Sequence, residues 1–197
     1  MIDYTSAICD YIELEKDVLS KLDVTAINKA MNLIILAYEG KHSIYIFGNG
    51  GSSSTASHWQ NDFNKGISEY LDKKFHFQCL NDNIATIMAI ANDISFDEVF
   101  RFQLRNRLED GDIIIAISGS GNSKNIVNAV EYAKSCGNKI IGITGFSGGK
   151  LKEMCDISLH VPVMSMQVTE DIHMMFDHLI MSVFYKVLCE KEHLIKE

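Results

Sequence analysis

Two short runs of glycine, serine and asparagine carry the first chemical signal in this chain. They are Gly48-Asn49-Gly50-Gly51-Ser52-Ser53-Ser54 and Ser118-Gly119-Ser120-Gly121-Asn122-Ser123. Each directly follows a short, β-rich apolar run, Ser43-Ile44-Tyr45-Ile46-Phe47 in the first case and Asp112-Ile113-Ile114-Ile115-Ala116-Ile117 in the second. Residues this small let backbone N–H groups approach an anion, their hydroxyls add donors, and a helix opening near Asn122 would add its N-terminal partial charge. A phosphate monoester is the natural occupant. Turns and helix caps use the same residue types, but two such loops at neighbouring strand ends favour a ligand. No Gly-Lys-Ser/Thr follows, so the spacing is not a Walker A loop. Ser53 stands where GxGxxG needs its third glycine, so nucleoside triphosphates and dinucleotides are disfavoured.

The elements that would hold these loops alternate. Apolar runs at 43–47, 75–80, 112–117, 139–144 and 156–161 predict strands. Helical spacing fills the gaps: from the first loop to about Lys65, in segments through about Leu108, and from Asn122 to Ser135. A long C-terminal helix is expected from Gln167 to Glu192. Near-continuous apolar strands mean a sheet covered on both faces. The expected fold is therefore α/β, a doubly wound, flavodoxin-like parallel sheet flanked by helices. Ahead of it, Ile8, Ile12, Leu14, Val18, Leu19 and Leu22, then Ile27, Met31, Ile34, Ile35 and Tyr38, mark an N-terminal helical hairpin, with Thr25 as N-cap of its second helix. One domain spans 1–197, with helices 1–40 serving oligomerisation and 41–197 forming the core and the C-terminal helix.

Composition narrows the partners. With 18 Lys and Arg against 26 Asp and Glu, the formal charge of -8 opposes a broad nucleic-acid or anionic-membrane surface. The five cysteines are scattered without a CxxC pair, which fits a reducing compartment. The N-terminus lacks a basic, apolar leader and no run reaches membrane-spanning length, so a cytoplasmic protein is expected.

At its two loops the chain resembles the sugar isomerase (SIS) domain family, whose hallmark is a Ser-x-Ser-Gly-x-Ser phosphate loop. It is most similar to the phosphoheptose isomerases. Gly48 to Ser52 with Ala56 and His58, Ala91-Asn92-Asp93 with Phe96 and Phe100, Ser118 with Ser120 to Ser123, Thr144-Gly145 with Gly148-Gly149, and Asp171-Ile172-His173 with His178 all match in register. The resemblance implies aldose–ketose isomerisation of sedoheptulose 7-phosphate to D-glycero-D-manno-heptose 7-phosphate. It implies that Ser52, Ser118, Gly119, Ser120 and Ser123 hold the phosphate, that Asn49, Gly50 and Gly51 line the sugar, and that Asp93 bonds its hydroxyls. His58, Asp62, Glu170 and His178 fall at positions that bind zinc or carry out acid–base catalysis in the family. The chain departs from the pattern at Asp62 (Glu in the family), Glu170 (Gln), Gly119 (Thr) and Gln167 (acidic), and the family's arginine is unmatched near Lys65 and Gly66.

Isomerisation through an enediol needs a base, an acid and often a metal that polarises the carbonyl. His58 and Asp62 lie four apart on one helix face, and Glu170 and His178 about two turns apart on another. Together they could make a tetrahedral site for Zn²⁺ or a harder divalent ion. Alternatively His178, with Asp62 or Glu170, acts directly without a metal. The competing function is a non-catalytic SIS phosphosugar-binding module or a partner of the replication initiator, and retention of His178 favours the enzyme. A phosphosugar sensor would need a DNA-binding extension, and none is evident. The resemblance implies a homotetramer built on the terminal helices. His42, His76, His160 and His193 have no partner motif, Trp59 and the methionines from Met164 to Met181 read as packing, and His173 reads equally as core or participant.

Overall fold

The structure is a computed structural model and describes residues 1–189. Five parallel strands form one sheet: β1 (Ile44–Gly48), β2 (Phe77–Cys79), β3 (Ile113–Ser118), β4 (Lys139–Thr144) and β5 (Ile157–His160), in the order β2-β1-β3-β4-β5. The helices are α1 (Thr5–Leu19), α2 (Val24–Gly40), α3 (Gly51–Asn61), α4 (Ile84–Asp93), α5 (Arg101–Leu104), α6 (Lys124–Ser135), α7 (Gly149–Met154) and α8 (Met166–Phe184). A π-helical turn, Asp62–Gly66, prolongs α3, and another, Tyr185–Cys189, prolongs α8. The part of the expected C-terminal helix beyond 189 lies outside the described residues.

The pleat sorts the apolar strands onto two cores. Ile44, Ile46, Ile113, Ile115, Ile117, Ile141 and Ile143 face α2, α3 and α8. Tyr45, Phe47, Ile114, Ala116 and Ile140 face the side of α4 to α7. Alternate residues of a strand point to opposite faces, so with both faces covered every β1 and β3 position is buried.

Helix α2 begins at Val24, so its N-cap lies two residues before the expected Thr25. Its N-cap is Asp23, whose carboxylate accepts the Ala26 amide, because an extended residue with a short acceptor side chain is what the first free N–H groups require. Trp59 is buried against Phe63 and Phe77, a packing role. No disulfide forms among the described residues, in line with the scattered cysteines. One stretch, Met166–Cys189, is long and apolar enough to cross a membrane by length and composition alone. Here α8 buries Val168, Ile172, Phe176 and Ile180 in the first core.

Strands β1 and β3 are neighbours, yet the chain leaves β1 through α3 on one face and β3 through α6 on the other. Between their carboxyl ends lies the topological switch point, where open α/β sheets bind ligands. Both Gly/Ser loops sit there.

Candidate active site

The loop after β3 is fastened from several sides. Ser118 Oγ accepts the Gly121 amide at 3.1 Å, and the Gly119 carbonyl accepts the Gly145 amide at 2.9 Å. The Gly121 carbonyl accepts the Leu151 amide at 2.9 Å. Gly121 has φ +65°, and a Cβ there would overlap the Gly148 carbonyl oxygen, so a glycine is required twice over. The Gly148-Gly149 turn thus serves as backing for the loop. Ser123 is the extended residue from which α6 starts, but its side chain makes no cap bond, leaving its hydroxyl available.

The loop after β1 is tied to its neighbour by a pair of amides. Asn49 and Asn125 each donate Nδ2 to the other's Oδ1, both at 2.9 Å, with Asn125 buried on α6. Asn81 clamps the end of β1, accepting the Gly48 amide at 3.2 Å and donating to its carbonyl at 2.9 Å. Asn125 and Asn81 were not singled out in the sequence. An asparagine outside any motif looks like a surface residue until the fold shows which backbone it holds.

Between the loops lies a cavity of about 170 Å³ lined by Asn49, Ser52, Ile117, Ser118, Gly119, Ser120, Ser123, Met166 and Glu170. All the residues expected at the phosphate, and Asn49, meet there. A larger hollow of about 530 Å³ beside β2, lined by Gln60, Gln78, Asp82, Phe102 and Arg105 among others, contains none of them, so size does not identify the site. Gly50, with φ +54°, and Gly51 form the turn into α3. A Cβ on Gly51 would stand 2.5 Å from a Glu170 carboxylate oxygen, so this glycine lets the carboxylate rest on the helix N-terminus. Asp93, at the end of α4, is exposed, accepts the Asn92 side-chain amide at 2.8 Å, and does not line the cavity.

A second group lies farther along the same two helices. His58 and Asp62 project from the end of α3 and the start of its π turn, a distortion frequent at functional sites. Helix α8 packs on α3 and brings Asp177 and His178 to the same place. His58 Nε2 lies 3.1 Å from His178 Nε2 and 3.5 Å from Asp62 Oδ2. One donor atom from each of the four residues falls within 4.8 Å of all the others. Donors around a tetrahedral ion, at about 2.0–2.1 Å from it, stand about 3.3 Å apart. Two imidazoles and two carboxylates could therefore hold a divalent cation once the widest pairs close by up to about 1.5 Å. Glu170, expected as a ligand, is placed at the phosphate cavity instead.

Asp177 is fully buried, and neither carboxyl oxygen has a hydrogen-bond partner. Burial first, and then the Asp62 charge, push its pKa up to about 8. Adjacent helical residues do not share a face, which is why Asp177 escaped the sequence reading. Its side chain approaches α3 from the core while His178 reaches the same point from the exposed side. His173 is fully buried, with neither ring nitrogen in a well-formed hydrogen bond, and burial pushes it down to about 4.

Comparison with known proteins agrees with this architecture. A family model of the SIS domain matches residues 9–145. A phosphoheptose isomerase of Aliarcobacter butzleri is 34% identical over 157 residues, 80% of this chain and 82% of that protein. The phosphoheptose isomerase structure from Neisseria gonorrhoeae superposes with a TM-score of 0.84 at 27% identity, covering 93% of this chain and 97% of that one. That from Francisella tularensis gives 0.85 at 28% identity, with 94% and 100% covered.

Proposed function

The chain belongs to the SIS domain family, among the phosphoheptose isomerases, and we propose that it interconverts sedoheptulose 7-phosphate and D-glycero-D-manno-heptose 7-phosphate. The observation that carries this is the spacing of two subsites on one pair of helices. Ser52 and His58 are six residues apart on α3, a rise of about 9 Å, and Glu170 and His178 are eight apart on α8, about 12 Å. In an extended heptulose 7-phosphate, seven bonds separate C2 from phosphorus, roughly 8–9 Å at about 1.2 Å per bond. A phosphate seated among Ser118, Ser120, Ser123 and Ser52 therefore carries the reacting carbons to His58, Asp62 and His178.

There the base removes a proton from C1 of the ketose while an acid protonates O2, giving the enediol, and a proton returned to C2 as O1 loses its own leaves the aldehyde at C1. His178 and Asp62 fit these proton transfers where no cation occupies their donor atoms. Glu170, beside the phosphate, fits better as an acceptor for the distal sugar hydroxyls than as the base. A divalent cation on His58, Asp62 and His178, for which Zn²⁺ is the first candidate, would supply polarisation of the sugar carbonyl.

Oligomerisation belongs to the same proposal. Asp93 lies away from this cavity, amid exposed Met88, Ile94 and Phe96. That position suits service to the site of a neighbouring copy, and a homotetramer would also cover the terminal helices. The scattered thiols and acidic charge suit the cytoplasm.

The test is turnover of sedoheptulose 7-phosphate by purified wild type and His178→Ala, with fructose 6-phosphate as control. Heptose formation by the wild type, lost at least about a hundredfold in a folded His178→Ala, is expected. Binding without turnover in the wild type would replace the enzyme by a phosphosugar-binding module.

A further inference from the structure

The family pattern puts the fourth ligand-type side chain at position 170, but in this chain that side chain lies over Gly51 at the phosphate cavity. Its place beside the two histidines is taken by a carboxylate about two turns farther along α8, that of Asp177. We propose that Asp177 is a direct metal ligand, completing a His58–Asp62–Asp177–His178 site for a first-row divalent cation and leaving Glu170 outside the coordination shell. The inference rests on the isomerase reading only for the cation's use, not for its binding.

Three observations converge on it. Donor atoms of the four side chains cluster within 4.8 Å, the only group of this kind of three or more such residues among the described residues. The two imidazole Nε2 atoms face each other at 3.1 Å, and Asp62 Oδ2 stands 3.5 Å from one of them, as donors do around a common centre. Asp177 is fully buried with both oxygens unpartnered. A buried carboxylate without a donor is costly, and buried charges are as a rule paired or bound to metal. One of its oxygens falls within 4.8 Å of donor atoms of His58, Asp62 and His178, a group that otherwise offers it only another carboxylate and two rings. His58, Asp62 and His178 have partners in one another and in Asn61, so Asp177 is the member of the group that a cation would newly satisfy.

The ligand set has a chemical consequence. Two carboxylates and two neutral imidazoles balance a divalent charge and present harder donors than a site with one carboxylate, so Mn²⁺ and Fe²⁺ gain relative to Zn²⁺. The shift also divides labour along α8: position 177 serves the cation and position 170 serves the substrate.

The test strips the full-length protein with a chelator and titrates it with Co²⁺. The visible spectrum reports coordination, and competition with a chromophoric chelator reports affinity. Four proteins are compared: wild type, Asp177→Asn, Asp177→Leu and Glu170→Gln. Wild type should bind one ion per chain. Asp177→Asn should weaken binding by at least about tenfold and change the Co²⁺ spectrum, as loss of even an outer-shell partner can cost that much. Asp177→Leu removes the orphan carboxyl altogether, so it should fold with a melting temperature no lower than the metal-free wild type and bind equally poorly. Glu170→Gln should bind within about twofold of wild type. Unchanged affinity and spectrum in either Asp177 variant would overturn the assignment, as would a wild type that binds no ion or a loss confined to Glu170→Gln. Turnover of sedoheptulose 7-phosphate on the same preparations separates the two claims. A wild type that binds the ion through Asp177 but does not isomerise overturns only the isomerase, and an active wild type indifferent to Asp177 overturns only the ligand.

Discussion

At the scale of single residues the site is defined by where its negative charges fall. Among the described residues, the cavity between the two loops is lined by no lysine or arginine, and its one ionisable lining residue is Glu170. A phosphate dianion bound there would therefore be held by hydroxyls, backbone N–H groups and helix ends, against a carboxylate that rests on one of those ends. Glu170→Gln keeps the shape and removes the repulsion. It should tighten phosphosugar binding by about 1 kcal/mol, roughly fivefold, a modest figure for charges screened near a surface. Calorimetry at low and high salt checks this: the gain should shrink as salt rises. Equal affinity at low salt would mean that Glu170 turns away when the phosphate enters. This charge was visible in the sequence as a departure from the family residue, but its location was not. Helical periodicity put Glu170 and His178 on one face and so with one ligand; in the fold Glu170 lines the cavity between the loops and His178 joins the cluster two turns away.

At the scale of elements, the strands were the most legible part. The stretches 113–117 and 140–143 carry no polar side chain because both sheet faces are covered, and few other structures need that. The Gly/Ser loops were legible for a related reason, since close backbone approach excludes side chains. Less legible were features that depend on how helices meet. The π turn at Asp62–Gly66, the clamp by Asn81 and the arrival of Asp177 at α3 come from packing between segments far apart in sequence. Helix α8 also carries a titration consequence. His173 has its pKa lowered from 6.5 to about 4, chiefly by burial, with His160 opposing its charge and the Thr144 backbone favouring it. The folded value lies below the unfolded one, so the unfolded chain binds the proton first. Stability held above pH 6.5 is then lost as pH falls towards 4. Between pH 7 and 5 the loss from this residue is about 2 kcal/mol. His173→Met should abolish that share: urea midpoints of wild type and variant should converge as the pH is lowered, or cross. A constant difference across the range would show that another group carries the acid sensitivity.

At the scale of the whole molecule, the N-terminal helix buries little of its apolar surface among the described residues. Only Val18 of α1 is buried, while Ile8, Tyr11, Ile12, Leu14 and Leu19 remain exposed. Its link to the rest is made by the Tyr11 hydroxyl donating to Asp171 on α8, and by the turn that leads to α2. An isolated helix of 15 residues is marginal in water, so its order calls for a surface beyond the described residues. Ile8, Tyr11 and Ile12 recur at three and four residues and form a stripe that a second copy can cover. Since α1 touches α8 beside Asp171, one residue from Glu170, covering it would also bring the partner close to the cavity. The double variant Ile8→Glu, Ile12→Glu adds charge to the stripe and touches nothing in the core. It should fold with a near-native far-ultraviolet spectrum, yet run as a smaller species by light scattering. Turnover should fall with assembly if neighbouring copies complete each other's sites through residues such as Asp93. A variant that dissociates but keeps full turnover would place the whole site in one chain, leaving assembly to stability alone. A variant that stays assembled would transfer the interface to the exposed apolar residues of α4, Ile84 and Met88, where the same substitution can be made.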